Sequence, residues 1–511
     1  MGGSRLDRVL AGAAPWLLVP MCSPRFARIY RRRAAEAAAY LGLYAGVLAA
    51  VAVVAPWLLI AWAVLAAAAS AVLVWRMRVG SGRSQRQPPG RLRPFPVRPV
   101  TDHDFVAETI ARRGPVSKTT MPYVAHPLVL VGGLARGASV LRANDGRLEW
   151  VGMSFDSLIP AGFIRSMSPE DHRHYIRVVR DAFSDRVVDE CRPAFSRIAR
   201  SELARMSAAG GVTGQVDPRP WLGRYALASL ARLILGVEPE TDEFASITRL
   251  YGDPGPLNTE WGRDPHVLRD AVGDASALVR RQGAVVVEAT ASGDEPVSSF
   301  LSELLRTRPE AVEDDNVVLN LVFLLATTYR DVTGLLHWVV KMLGDNPGCC
   351  ERLSTGAEDG LASRVVLETL RLEQSEYILR RVLEPVELEG YVVPAGWYLR
   401  VCVRESHRDP SVFPDPERFD PDRFLGARHT REQYSPLGMT NRPCTGVATT
   451  LAVAGVLAEE LARGWSWATV RDGRPEFDGA HWRPSRRFRA RMVPRASDGS
   501  EIRSAAAVGV G

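Results

Sequence analysis

Arg330 and Asp331 are neighbours in Thr327-Thr328-Tyr329-Arg330-Asp331-Val332-Thr333, in the middle of the apolar run "VVLNLVFLLATTYRDVTGLLHWVVKML". Burying one charge is expensive, and two adjacent helical residues point in different directions. An arginine facing a pocket can partner a carboxylate or phosphate, and an aspartate there can relay protons if its pKa suits. Three further groups of residues could take part. Cys444 lies in Arg442-Pro443-Cys444-Thr445-Gly446, a weak pattern alone, since most lone cysteines are small core residues. Glu368 and Arg371, three apart on a predicted helix, share a face and can pair; on a surface such a pair is worth little. Arg418 sits among aromatics in "HRDPSVFPDPERFDPDRF", from His407 to Phe424, too proline-rich for regular structure.

The elements that must position these residues follow from pattern. The chain has 511 residues, 46% hydrophobic and 24% charged, an ordinary folded composition long enough for one large domain and an appendage. The net charge of +6 is mild. Lysine occurs only at Lys118 and Lys341, and no dense basic tract interleaves with aromatics, which argues against a nucleic-acid partner. The cysteines, Cys22, Cys191, Cys349, Cys350, Cys402 and Cys444, form no CxxC pair, which suits free thiols in a reducing compartment and implies no zinc site.

From Glu36 to Arg76 no charged residue intervenes, and Pro56-Trp57 lies near the middle. This run is about twice the roughly 20 residues that one membrane-spanning helix needs, so it predicts a hairpin of two helices over 37–77. Arginines flank both ends, which places 1–36 and the body in the cytoplasm. A single tilted span with the body outside is the alternative. Residues 78–99, with "QPPGRLRPFPVRPV", predict a stiff linker. A folded domain is expected over 100–495 and a disordered tail over 496–511. Within the domain, arginine-rich helices are expected over 168–310. A very apolar helix follows from about 315 to 344, capped by Glu313-Asp314-Asp315-Asn316 and stopped by Asn346-Pro347-Gly348. Short strands are expected in "VELEGYVVPAGWYLRVCV", with Pro394-Ala395-Gly396 as a turn, and an apolar helix in "VATTLAVAGVLAEEL".

The order of these features, a helix with Glu-x-x-Arg, strands, Pro-Glu-Arg-Phe, the cysteine loop and an apolar helix, resembles the cytochrome P450 family over roughly residues 100–495, most firmly 315–465. The resemblance implies a mainly α fold with a small β region. It implies haem b with iron held by the thiolate of Cys444, which favours O–O cleavage. It implies a buried triad of Glu368, Arg371 and Arg418, since mutually bonded charges can be buried where one cannot. Arg442, Arg380 and His172 would meet the haem propionates. Four residues after its histidine the family usually has an arginine; here Ile176 stands there, beside Arg177.

The chain departs from the family pattern in places. In "LGMTNRPCTG", Leu437 replaces the usual phenylalanine and Thr440 the first glycine, while Gln374-Ser375 replaces Pro-Pro after the Glu-x-x-Arg helix. Gly446 is expected where a tight loop brings amides to the sulfur. The 315–344 helix takes the place of the family's distal helix, whose motif is Ala/Gly-Gly-x-Asp/Glu-Thr. In the register set by Trp338 and Pro347, Thr328 takes the glycine position, Arg330 that of the acid and Asp331 that of the threonine. A register with Thr327 or Thr328 over the haem is the alternative. So is a structural use, with Arg330 paired to an acid elsewhere and Asp331 bonded to backbone.

The expected activity is monooxygenation of a lipophilic small molecule, such as a terpenoid, fatty acyl chain or polyketide, at the membrane. A ferredoxin or reductase would supply electrons, and membrane lipid would hold the anchor. Other readings are a peroxide-dependent enzyme on a carboxylate substrate, a redox-neutral cyclase or isomerase, for instance of a prenyl diphosphate, and a haem-binding membrane protein without activity.

Overall fold

The computed structural model describes residues 86–92, 98–121, 126–151, 155–258, 265–373, 378–440, 442–478 and 481–495, with scattered helical positions between 46 and 68. In chain order these form α1 (Phe105–Arg113), β1 (Val116–Thr120), β2 (Pro127–Val131), α2 (Leu134–Ala143), β3 (Leu148–Trp150), α3 (Pro169–Ala182) and α4 (Asp185–Ala209). There follow β4 (Gln215–Val216), α5 (Arg219–Leu235), α6 (Asp242–Tyr251), α7 (Pro265–Ser292), α8 (Phe300–Thr307), α9 (Asp315–Asp345), α10 (Pro347–Thr355) and α11 (Leu361–Leu372). Strands β5 (Ile378–Val382), β6 (Val386–Leu388), β7 (Tyr391–Val393) and β8 (Tyr398–Val401) come next. The chain closes with α12 (Val447–Gly464), β9 (Trp465–Arg471), β10 (Glu476–Phe477), β11 (Trp482–Arg483) and β12 (Arg489–Pro494). The described residues are thus mostly helical with a small β component. The expected membrane hairpin lies almost wholly outside the described residues, and no helix among them is long and apolar enough to cross a membrane.

Two compact units emerge, residues 1–151 with 377–406, and residues 152–376 with 407–511. The smaller one is built on a five-stranded sheet in the order β1-β2-β8-β5-β3, with β2 and β8 parallel and the other pairs antiparallel. Gly396, at φ 81°, supplies the left-handed residue of the turn into β8. Part of the expected linker is docked rather than free. The Lys118 amide donates to the Pro89 carbonyl at 2.8 Å, and the Val392 amide donates to the Arg86 carbonyl at 2.9 Å. Proline cannot donate to a ladder but can line its edge, so 86–92 extends the sheet without continuing it. Gly90 is required here: a Cβ on it would sit 2.0 Å from the Lys118 carbonyl oxygen.

The larger unit is organised around α9, which packs on α5, α7, α11, α12 and β9. The caps read from the sequence are present: the Asp314 side chain accepts from the Asn316 amide, and Asn346 closes the helix before Pro347 opens α10. Its buried stripe includes Val318, Val322, Leu325, Leu336, Trp338, Val339, Val340 and Leu343. Each such burial contributes roughly 1.5–3 kcal/mol, enough to carry a few polar positions along the same helix.

Candidate functional site

Cys444 ends a loop that arrives through Ser435-Pro436-Leu437 and turns at Gly438 (φ 92°) and Thr440 (φ 67°). Its amide donates to the Leu437 carbonyl at 2.9 Å, and the Gly446 amide donates to its sulfur at 3.3 Å. Leu437 packs against the core of the larger unit. Gly446 caps α12 at φ −90°, so the turn does not demand glycine there. A Cβ would lie 3.6 Å from the sulfur, in ordinary contact, so what glycine provides is open space beside Sγ. Cys444 is exposed at the N-terminus of a long helix, where the dipole and an amide donor favour the thiolate. An accessible soft donor of this kind fits an iron porphyrin.

Cationic and neutral donors gather in the same unit. Arg442 donates through Nη1 to the Arg165 carbonyl at 2.7 Å. His172, on α3, is held down to about 4 by burial and by the charges of Arg442 and Arg180. The charge of Arg442 thus acts on His172, and both belong to the larger unit. Arg177 does not replace the missing arginine; it is exposed and donates to the Arg173 carbonyl at 3.0 Å. Arg180 shares the face of His172 and Ile176 instead. The loop carrying Arg165 is pinned by two asparagines, Asn316, expected only as part of the helix cap, and Asn320, for which the sequence suggested no role. The amides of Ala161 and Ile164 donate to Oδ1 of Asn316 (2.7 Å) and Asn320 (2.8 Å) on α9. Two asparagines four apart in an apolar helix were the available signal. Arg380 belongs to the smaller unit, buried on β5 with its guanidinium 3.2 Å from the Trp150 ring centroid.

The buried pair behind the cysteine loop is formed, but its third member differs from expectation. Arg371 and Glu368 are fully buried and bidentate, Nε to Oε2 at 2.7 Å and Nη2 to Oε1 at 2.9 Å. The Arg418 side chain is 69% exposed and reaches only Asp420; its contribution is a backbone carbonyl that accepts from Arg371 at 3.2 Å. Arg423 takes the expected place, with Nε 3.4 Å from Glu368 Oε1 and only 10% of its side chain exposed. Two Pro-acid-Arg-Phe runs lie five residues apart, Pro416–Phe419 and Pro421–Phe424. The backbone turns the second inward, where Arg423 also donates to the Pro414 and Asp415 carbonyls. The Asp420 amide adds a bond to Glu368 Oε1 at 2.9 Å.

Arg330 and Asp331 resolve in different directions. Arg330 is 14% exposed and pairs through Nη2 with Asp478 Oδ1 at 3.3 Å. Asp478 also takes Arg483 Nε at 2.7 Å, and Arg483 Nη2 donates to the Arg330 carbonyl at 3.0 Å. Gly334 makes room for that guanidinium, since a Cβ there would sit 0.9 Å from Arg483 Nη1. Asp331, its side chain 52% exposed, faces His481 Nε2 at 3.2 Å. Burial alone would raise its pKa, but His481, Arg483 and Arg330 hold it below the ordinary range. Both α9 charges are thus engaged by the β10–β11 hairpin. His481, Asp478 and Arg483 were not legible from α9, because they lie about 150 residues downstream. The Thr327 hydroxyl is turned back onto its own helix, donating to the Phe323 carbonyl at 2.9 Å.

The family model "Cytochrome P450" matches residues 360–452, which include Glu368, Arg371, Arg423 and Cys444. Abscisic acid 8'-hydroxylase 1 of Oryza sativa subsp. japonica is 26% identical over 397 residues, covering 70% of this chain and 78% of its own. Putative cytochrome P450 135B1 of Mycobacterium tuberculosis is 27% identical over 426 residues, covering 76% and 86%. Among solved structures, retinoic acid-bound cyanobacterial CYP120A1 shares the fold with a TM-score of 0.63 at 20% identity, over 81% of this chain and all of that one. A variant of cytochrome P450 OleT in complex with arachidonic acid gives 0.60 at 14% identity, over 77% and 95%. With an accessible thiol at a helix N-terminus, a buried Glu-Arg pair in the same unit and these similarities, the chain resembles the cytochrome P450 family, with haem as the implied cofactor.

Proposed function

We propose that the chain monooxygenates a lipophilic small molecule of the terpenoid, fatty acyl or polyketide kind, with residues 37–77 holding the body at a membrane. Bound haem supplies the activation of oxygen, with electrons from a ferredoxin or reductase. Cys444 is the iron ligand in this reading, and Arg442 with His172 takes the propionates. Asp331 is the distal acid. The observation that carries the reading is the split fate of the α9 charges. Arg330 is occupied by Asp478, whereas Asp331 keeps half its side chain accessible and has a histidine behind it. An ionised carboxylate that faces an imidazole nitrogen can orient the ring and pass a proton in transit without keeping it, which is the work of the missing acid–alcohol pair.

The same observation weighs against a peroxide-dependent enzyme that recruits a substrate carboxylate with Arg330. Such a carboxylate would have to displace Asp478 from a largely desolvated pair. A redox-neutral reaction needs neither oxidant nor electrons. The test is turnover of the solubilised protein with NAD(P)H, a ferredoxin and its reductase, against peroxide alone and against no oxidant. Asp331→Asn is expected to lower product formed per electron about tenfold or more, with the electrons appearing as released peroxide. Unchanged coupling in that variant removes Asp331 from the reaction, and turnover with peroxide alone or without oxidant removes the monooxygenase reading.

A further inference from the structure

We infer that His407 is a positioning residue that fastens the cysteine-bearing loop to the buried Glu368–Arg371 pair. His407 is fully buried at the start of the proline-rich segment, and two of its hydrogen bonds go to different elements. Its carbonyl accepts from Arg371 Nη1 at 3.0 Å. Its Nε2 accepts the Ser435 amide at 3.0 Å, which fixes the tautomer with the proton on Nδ1. Ser435 is two residues before Leu437, whose carbonyl receives the Cys444 amide. His407 therefore ties α11, through its backbone carbonyl, to the stretch of backbone that delivers the thiolate, through its imidazole; the ring supplies the second of these ties.

Aromatic packing holds the ring in that pose. His407 lies against Tyr434 with centroids 4.9 Å apart, and edge-on to Phe413 at 6.3 Å. Tyr434 donates to the Leu367 carbonyl at 2.6 Å, a second tie from the loop to α11. The bond at Nε2 requires a neutral ring, because a protonated imidazole would oppose one N–H to another. The surroundings enforce neutrality: burial, then the charges of Arg371, Arg408 and His429, hold His407 down to about 3, against a backbone bond to Arg371 that works the other way.

The experiment compares His407→Gln and His407→Leu in the holoenzyme. Glutamine carries an acceptor at about the reach of Nε2; leucine fills the space without one. Hydrogen exchange of the peptide spanning Arg431 to Cys444 is read in each, alongside the reduced carbon monoxide difference spectrum under mild heating. His407→Leu is expected to speed exchange at Ser435 about tenfold and to convert the thiolate band to the neutral-thiol form sooner. His407→Gln is expected to restore both. Equal behaviour of the two variants, or unchanged exchange in His407→Leu, overturns the assignment. Should the leucine variant not fold, the unsubstituted enzyme still decides: a Ser435 amide that exchanges as fast as its exposed neighbours carries no such bond.

Discussion

Thr440 holds a left-handed backbone, φ 67°, with a β-branched side chain. Such a residue is strained there, by about 1–2 kcal/mol relative to glycine, part of which glycine gives back as unfolded-state entropy. Thr440→Gly is therefore expected to raise the thermal midpoint by a few degrees, corresponding to about 0.5–1 kcal/mol, without moving the carbon monoxide band. An unchanged or lowered midpoint in a calorimetric melt refutes the strain. Arginine positions offer a second test. Arg423 adjoins a carboxylate with no exposed surface, while Arg418 is in water. Arg423→Met is expected to cost about 3 kcal/mol and much of the haem content, since it leaves buried charge short of a partner. Arg418→Ala is expected to stay within about 0.5 kcal/mol. Equal losses from the two refute the assignment. The sequence held both arginines in near-identical runs, and local pattern carries no information about which of two tandem repeats turns inward. The Glu368–Arg371 spacing, by contrast, fixed a shared helix face by itself, and that pair is present.

The β10–β11 hairpin is joined to α9 by charge as well as by the Trp338 indole, which donates to the Trp482 carbonyl at 2.9 Å. Asp478 receives Arg330 from α9 and Arg483 from its own hairpin, and its Oδ1 accepts the His481 amide at 2.8 Å. Burial opposes ionisation, but Arg483, Arg330 and His481 together push the carboxyl far below the usual carboxylate range. A depressed folded-state pKa means that the unfolded chain binds the proton more readily. The stabilisation is then complete above the ordinary aspartate range, around 3.8, and declines as pH falls below it. Hydrogen exchange across Glu476–Arg483 is expected to quicken on acidification from about pH 5 to pH 3, and Asp478→Asn to be fast throughout, by about 2 kcal/mol of local opening. A protected hairpin in that variant refutes the latch. Element existence was largely readable, because α9 announces itself by caps and an apolar stripe, and Gly396 by its turn. The partner of α9's charged pair was not, since a contact 148 residues away leaves no local periodicity.

At the scale of the whole chain the open matter is the join between the uncharged stretch before Arg76 and the folded body. The proposed anchor and the folded units make separable demands on the sequence. Trp57, Ile60 and Val64 are exposed apolar side chains at helical positions, which suits a lipid environment. Residues in the 86–92 stretch are used by the smaller unit: the Arg86 and Pro89 carbonyls accept from Val392 and Lys118, and Gly90 is fitted against the Lys118 backbone. The separation between anchor and body therefore falls before residue 86 rather than at the end of the proline-rich run. Removing residues 1–85 is expected to release the protein from the membrane fraction while keeping a thiolate carbon monoxide band and a thermal midpoint within a few degrees of the full chain. Removing 1–92 takes one backbone hydrogen bond from the β1 edge of the sheet and one from the β6–β7 ribbon, each worth about 1 kcal/mol, and is expected to lower that midpoint visibly. A shorter chain still pelleting with membranes would mean that the body itself binds lipid, and the proposed anchor would lose its role. Equal midpoints for the two truncations would mean that the 86–92 segment lies on the sheet without supporting it.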